Sequence, residues 1–307
     1  MAVYTELGRP DAERLTRAHG LGAIVRVEPI PAGSVNSNFV LHAERGSAFA
    51  RIYEEQDVDG VAYEWALLDH LGASGVPVPA RIDGPEPGAL RVSGKPTALF
   101  EVLGGDEICQ SRVRAVHTRR VGELLARTHE AGRSFLIRRR GRFEPADLRA
   151  RLRSVTSLAR PELEGACAHL DAELAAMERA PPPIHAPTVI HGDLFRDNVR
   201  WDGDRPLAIL DWESASDGDP VYDVAVAILA WCYGDGYEPA LVAAMLEGYE
   251  SVARLEISRL PRMLRAAATR FTITRITDYH LREGATQAKK DWRRFYARLL
   301  EVDRAWT

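Results

Sequence analysis

Residues 189–213 read VIHGDLFRDNVRWDGDRPLAILDWE. An apolar pair, Val189 and Ile190, leads into a polar loop that carries His191, Asp193, Asp197 and Asn198. Two short β-prone runs follow, 199–201 and 207–210, with the turn dipeptide Asp202-Gly203 between them, so the chain is expected to double back as a tight hairpin. A hairpin returns its ends to one place. Asn198, before the first strand, is therefore expected near Asp211, after the second. An amide oxygen and a carboxylate on a rigid hairpin suit a hard cation that keeps phosphate and water ligands, which fits Mg²⁺ with ATP better than zinc or calcium. Asp193, five residues upstream of Asn198, is placed to reach a substrate hydroxyl. A solvated acidic turn would carry Asp and Asn for turn reasons alone, but the segment that follows favours the chemical reading.

The spacing HxDxxxxN, followed by an Asp at the exit of a strand, resembles the catalytic loop and metal-binding Asp of protein kinases. Gly192 stands where those enzymes have Arg, and Asp211-Trp212-Glu213 stands where they have DFG. Both departures move the resemblance to the aminoglycoside phosphotransferase and choline kinase group of small-molecule kinases. Downstream, Asp219-Pro220 is a strong helix start, since Pro fits a first turn and Asp satisfies orphan amides. Asp223 then falls in the first turn of the apolar run 224–231. In the resembling family this acidic position holds the backbone of the catalytic loop, so Asp223, with His191, is read as support.

A chain of 307 residues with 46% apolar content can bury two lobes. A net charge of −4 gives no sign of a nucleic-acid or anionic-membrane partner. Cys109, Cys167 and Cys232 have no metal or redox spacing and are expected to be buried thiols in a reducing compartment. Without a signal-like start or a run of 18 apolar residues, a soluble cytoplasmic protein is expected. Lysine occurs only at 95, 289 and 290, so nearly all basic chemistry falls to arginine.

A short amphipathic helix is expected at 11–20, then strands at 24–30, 38–42 and 48–53, a helix at 61–71, and strands at 91–93 and 97–102. Leu103-Gly104-Gly105 reads as a hinge. Beyond it the pattern turns helical, from 111 to 132 and at 147–157, 162–179, 220–233, 238–253, 258–281 and 288–302, with the hairpin as the only clear β element. The fold expected is α+β and protein-kinase-like: a small β-rich N-terminal lobe, 1–103, and a mostly helical C-terminal lobe, 104–307. The basic run 138–142 is read as a solvated turn, and Pro181 to Pro183 as the connection into the catalytic strand.

Residues 31–38, PAGSVNSN, lie where kinases cover the nucleotide phosphates; Gly33, Ser34, Asn36 and Ser37 would let backbone amides approach them. An ordinary polar turn would look the same. On the third strand Phe49, Arg51 and Tyr53 share a face. Arg51 takes the position that usually carries the phosphate-binding lysine, and keeps the charge with a different geometry. Glu64 on the next helix is its natural partner, and Phe49 would face the adenine ring. Glu101 and Leu103, where the fifth strand runs into the hinge, complete the nucleotide set.

With these residues in place the chain resembles the homoserine kinases of the aminoglycoside phosphotransferase superfamily, the bacterial type unrelated to GHMP kinases. GSVNSNFVLH, LLDHLGASGVPVP, GKPTALFEVLGG, VIHGDLFRDNV and YDVAVAILAWCY carry the likeness. The resemblance implies transfer of the ATP γ-phosphoryl to the side-chain hydroxyl of L-homoserine, a step of threonine biosynthesis. Such a substrate carries both an ammonium and a carboxylate. Arg270, Thr274, Thr277 and Asp278 share a helix face, so Arg270 or Arg275 would meet the carboxylate and Asp278 or Glu213 the ammonium. An internally paired polar face fits the same pattern. The competing readings are a kinase for another small alcohol, such as an aminoglycoside, choline or a methylthioribose-like sugar, and a nucleotide-binding pseudokinase.

Overall fold

The computed structural model describes residues 4–31, 35–179, 187–281 and 290–306. In chain order its elements are α1 (Arg9–Ala18), β1 (Ile24–Ile30), β2 (Ser37–Ala43), β3 (Gly46–Ile52), α2 (Val58–Ala73), β4 (Arg91–Val92) and β5 (Lys95–Glu101). Then come α3 (Ala115–Gly132), α4 (Pro145–Thr156), α5 (Glu164–Arg179), β6 (Thr188–Ile190), β7 (Val199–Asp202), β8 (Arg205–Ile209) and β9 (Ser216–Gly218). The chain closes with α6 (Pro220–Trp231), α7 (Pro239–Glu250), α8 (Leu260–Arg275) and α9 (Arg293–Ala305). These form two compact units, one reaching to Asp106 and including Arg200–Glu213, the other made of Glu107–Val199 and the chain from Ser214 onward.

The first unit is built on an antiparallel sheet ordered β1-β2-β3-β5-β4. In β3 the side chains alternate: Ala48, Ala50 and Ile52 join Leu15 of α1 and Leu41 of β2 in one core, which turns Phe49 and Arg51 to the opposite face. Asp57 starts α2 by accepting the Gly60 N–H at 2.9 Å. That helix buries Val61, Trp65, Leu68 and Leu71, and among them the carboxylate of Glu64. Past β5 the chain is clipped to the hairpin. Asp106 and Trp201 exchange backbone hydrogen bonds at 2.8 and 3.0 Å, and a Cβ on Gly105, whose φ is +90°, would lie 2.6 Å from the Trp201 carbonyl oxygen.

The second unit is mostly helical, and α6 is its centre: of its twelve residues only Pro220 and Tyr222 are not buried. Asp219 caps it, accepting the Val221 N–H at 2.9 Å. The helices α3 and α7 pack through glycines, since a Cβ on Gly122 would collide with the Met245 carbonyl and one on Gly248 with that of Arg119.

Three expectations need correction. The hairpin is not the only β element of this half: β6 pairs antiparallel with β9, Thr188 opposite Gly218. Ser-Asp-Gly has no apolar alternation of its own and is extended because β6 supplies its partner. The helix expected at 258–281 keeps α geometry only to Arg275 and widens into a π turn over Ile276–His280. Cys109 is exposed, whereas Cys167 and Cys232 are buried as expected. The prolines 181–183 and the start of the helix expected at 288–302 lie outside the described residues. Among the described residues no helix is long and apolar enough to cross a membrane.

Candidate active site

In the second unit the loop 191–198 is tied down at almost every step. Asp223, with no exposed surface, accepts the backbone N–H of His191 at 2.7 Å and of Gly192 at 2.8 Å on its two carboxylate oxygens. His129 lies with Nε2 3.1 Å from Asp223 and Nδ1 2.9 Å from the Tyr249 hydroxyl. Burial pushes the Asp223 carboxyl up, but hydrogen bonding from His129, the charges of His129 and His191 and the Gly192 N–H outweigh it and hold its pKa below the usual carboxylate range. On the carbonyl side of the same residue, Arg270 of α8 donates to the Gly192 carbonyl.

Further along the loop, the indole of Trp231 donates to the Leu194 carbonyl at 3.0 Å, and Arg196 donates to Ala230. Asn198 Nδ2 donates to the Asp193 carbonyl at 2.8 Å. Gly192 has a φ of +73°, and a Cβ there would sit 3.3 Å from the Ser214 carbonyl oxygen. A left-handed, crowded position accounts for glycine where protein kinases carry arginine.

What this scaffold leaves presented is the carboxylate of Asp193, about a third exposed (32%), with the Arg270 guanidinium 3.6 Å from one oxygen. Because the amide nitrogen of Asn198 donates to the loop, Oδ1 is the acceptor that its side chain still carries. Oxygen is the donor that a hard cation takes.

In the first unit a second constellation surrounds Arg51. Its guanidinium lies 3.3 Å from Glu64 and 4.0 Å from Glu213, and all three side chains are largely buried. Burial alone would lower the pKa of Arg51, but Glu64, Asp211, Tyr53 and Glu213 together raise it above its ordinary value. The group is a fixed cation. Three carboxylates against one guanidinium leave an excess of negative charge, which suits an added cation. Asp211 follows β8 with a φ of +61°, a conformation that Asp tolerates better than most side chains. The donor types at Asn198 and Asp211 therefore fit Mg²⁺, and Arg51 fits phosphate.

Asn36 bridges this group. Its Oδ1 accepts the Glu54 N–H at 3.1 Å and its Nδ2 donates to the Glu213 carboxylate. Ser37 Oγ donates to Glu54 at 2.6 Å and accepts the N–H groups of Tyr4 and Thr5 at 2.8 and 2.9 Å, so its hydroxyl is engaged within the unit. Phe49 shares the face of Arg51, whose guanidinium is 5.9 Å from that ring and 6.0 Å from Phe100. Glu101 lies at the end of β5 with its carboxylate accepting the Ala80 N–H at 3.2 Å; Leu103 follows, half-buried. Gly33 and Ser34 lie outside the described residues.

The substrate residues expected from the sequence separate into different settings. Glu213 is held beside Arg51 and Asn36. Arg275 packs on the Phe295 ring at 4.3 Å, and burial pulls its pKa down to about 10, so it stays charged at neutral pH. Asp278 pairs with Arg151 of α4 at 2.6 Å. Sequence reasoning missed Arg151, Asn36's bridging amide, and Phe143, which stacks on Arg270 at 4.1 Å. No local pattern marks these residues, because each acts across more than a hundred positions of sequence.

A small β-rich unit, a mostly helical unit and an anchored HGD loop define a phosphotransferase of the kinase-like, bilobal class. The chain belongs to the phosphotransferase enzyme family (APH), whose profile matches residues 26–260. It is 35% identical to the homoserine kinases of Sinorhizobium fredii, over 301 residues, and Bradyrhizobium diazoefficiens, over 300; each match spans 95% of this chain and 91% of the relative. Its fold matches a spectinomycin phosphotransferase solved with ADP and spectinomycin, with a TM-score of 0.73 over 98% of both chains at 13% identity.

Proposed function

We propose that this phosphotransferase moves the γ-phosphoryl of ATP to the side-chain hydroxyl of L-homoserine, with Mg²⁺, in the cytoplasm and in the service of threonine biosynthesis. The observation that carries the chemistry is Asp193: a partly exposed carboxylate on a loop whose neighbouring backbone groups are otherwise bound. The acceptor rests on likeness to homoserine kinases along nearly the whole chain.

In this reading residues 1–103 bind the nucleotide, and residues 104–307 carry the catalytic loop and the acceptor. Asp193 orients the acceptor hydroxyl and takes its proton as the new bond to phosphorus forms. Asn198 and Asp211 supply the oxygens for Mg²⁺, which when bound neutralises charge on the phosphates. Arg51, oriented by Glu64, meets phosphate oxygens and offsets the charge that develops on them. The segment that carries Asn36 and Ser37 is assigned to the phosphates, while Phe49, Glu101 and Leu103 line the base. Glu213 is assigned here to the nucleotide side. His191 and Asp223 keep the loop in register.

A coupled ADP-release screen with L-homoserine, L-serine, choline, methylthioribose and kanamycin tests this. L-Homoserine is expected to give the highest kcat/KM. Turnover of kanamycin or choline without homoserine would replace the acceptor and keep the chemistry, while silence with every alcohol would favour a pseudokinase.

A further inference from the structure

We infer that Arg151 and Asp278 form the subsite that recognises the α-carboxylate and α-ammonium of the amino-acid acceptor. This deepens the homoserine reading and rests on it.

The arginines read from the sequence as carboxylate ligands are already engaged. Arg270 is buried, donates to the Gly192 carbonyl, and has its guanidinium between the rings of Phe143 and Phe271 at 4.1 and 4.3 Å. Arg275 lies on the Phe295 ring and bonds the Asp291 carbonyl at 3.4 Å. Arg151 differs. A third of its side chain is exposed (33%), and its Nη1 donates to Asp278 at 2.6 Å and to the Thr277 hydroxyl at 2.9 Å.

Three features set this apart from an ordinary surface ion pair, which contributes little by itself. Asp278 and Thr277 lie in the π turn Ile276–His280, a widened geometry that helices adopt rarely and often at functional sites. The pair adjoins the proposed base through one ring and one guanidinium: Phe143 is 5.6 Å from the Arg151 guanidinium and 4.1 Å from that of Arg270, which in turn is 3.6 Å from Asp193. The pair also matches its ligand in charge. An amino-acid zwitterion can enter by exchange, its carboxylate replacing Asp278 on Arg151 and its ammonium replacing Arg151 on Asp278. Each of these partly exposed charges then keeps an opposite partner, so the exchange leaves neither unpaired. A polycation would instead meet Arg151 and Arg270 unfavourably, and choline has no carboxylate to offer.

The test compares L-homoserine with the amino diol in which CH₂OH replaces its carboxylate, using full-length wild type, Arg151→Met, Arg151→Lys and Asp278→Asn. In R151M the ratio of kcat/KM for homoserine to that for the diol is expected to fall about tenfold or more, the scale of one lost charge-assisted hydrogen bond. The fall should be carried by the KM for homoserine, and R151K should recover part of it. D278N should raise the homoserine KM by a similar factor and weaken discrimination against N-acetylhomoserine. If the wild type phosphorylates homoserine and both ratios stay within twofold in R151M and D278N, the pair is structural and the inference is wrong. A wild type that does not use homoserine overturns the underlying reading, and this inference with it.

Discussion

Asp223 receives the Gly192 N–H at 2.8 Å, so the first turn of α6 fixes the left-handed peptide just before the proposed base, Asp193. The link runs from an apolar helix, through one buried carboxylate, to the position of a partly exposed one. Removing that carboxylate leaves two loop N–H groups and the His129 contact without an acceptor. Asp223→Ala is expected to cost about 3–5 kcal/mol of stability, the scale of a broken buried ionic contact, and to lower turnover sharply. Urea unfolding and kcat on the refolded protein measure both.

The sign of the pH effect follows from the same residue. The folded carboxyl of Asp223 titrates below its unfolded value. Its contribution is therefore complete above an unfolded value of about 3.9 and is lost as pH falls through the lower folded value. An Asp223→Asn variant should be less stable at neutral pH and lose less further stability on acidification. Equal acid limbs in the two unfolding profiles would contradict this assignment.

Arg51 has Glu64 at 3.3 Å, and its charge does not vary over the working pH range. Arg51→Met is expected to reduce kcat/KM for ATP by about 10²- to 10³-fold, with Arg51→Lys intermediate. A loss confined to the KM of the alcohol would remove Arg51 from the nucleotide side.

Asn36 joins the Glu54 N–H to the Glu213 carboxylate. Asn36→Ala leaves the part-buried Glu54 N–H and the buried Glu213 carboxylate one partner short, which should cost about 1–3 kcal/mol and raise the KM for ATP. A shifted urea midpoint with an unchanged ATP KM would make the bridge purely structural.

The contact of α3 with α7 offers a control away from the chemistry. Gly122→Ala is expected to destabilise by about 1–3 kcal/mol through overpacking, read as a lower unfolding temperature, while the KM for ATP holds.

Much of this was legible because local rules carry it. Alternation along 48–53 put Arg51 and Phe49 on one face, and Asp219-Pro220 started α6 where a capping residue and a first-turn proline should. What escaped depends on distant partners. Ser216–Gly218 is a strand only because Thr188–Ile190 lies beside it. Helical spacing put Arg270 on a face but did not name its neighbour, which is the Gly192 carbonyl. Arg151 precedes Asp278 by 127 positions, and no periodicity joins them.

The most direct measurement is ³¹P NMR of the purified enzyme with Mg·ATP and L-homoserine, run beside Asp193→Asn. Wild type should convert the ATP γ signal into a phosphomonoester coupled to the side-chain methylene of homoserine, with D193N slower by about 10²-fold or more. No homoserine ester in the wild-type sample, or one formed at an undiminished rate by D193N, would contradict the account.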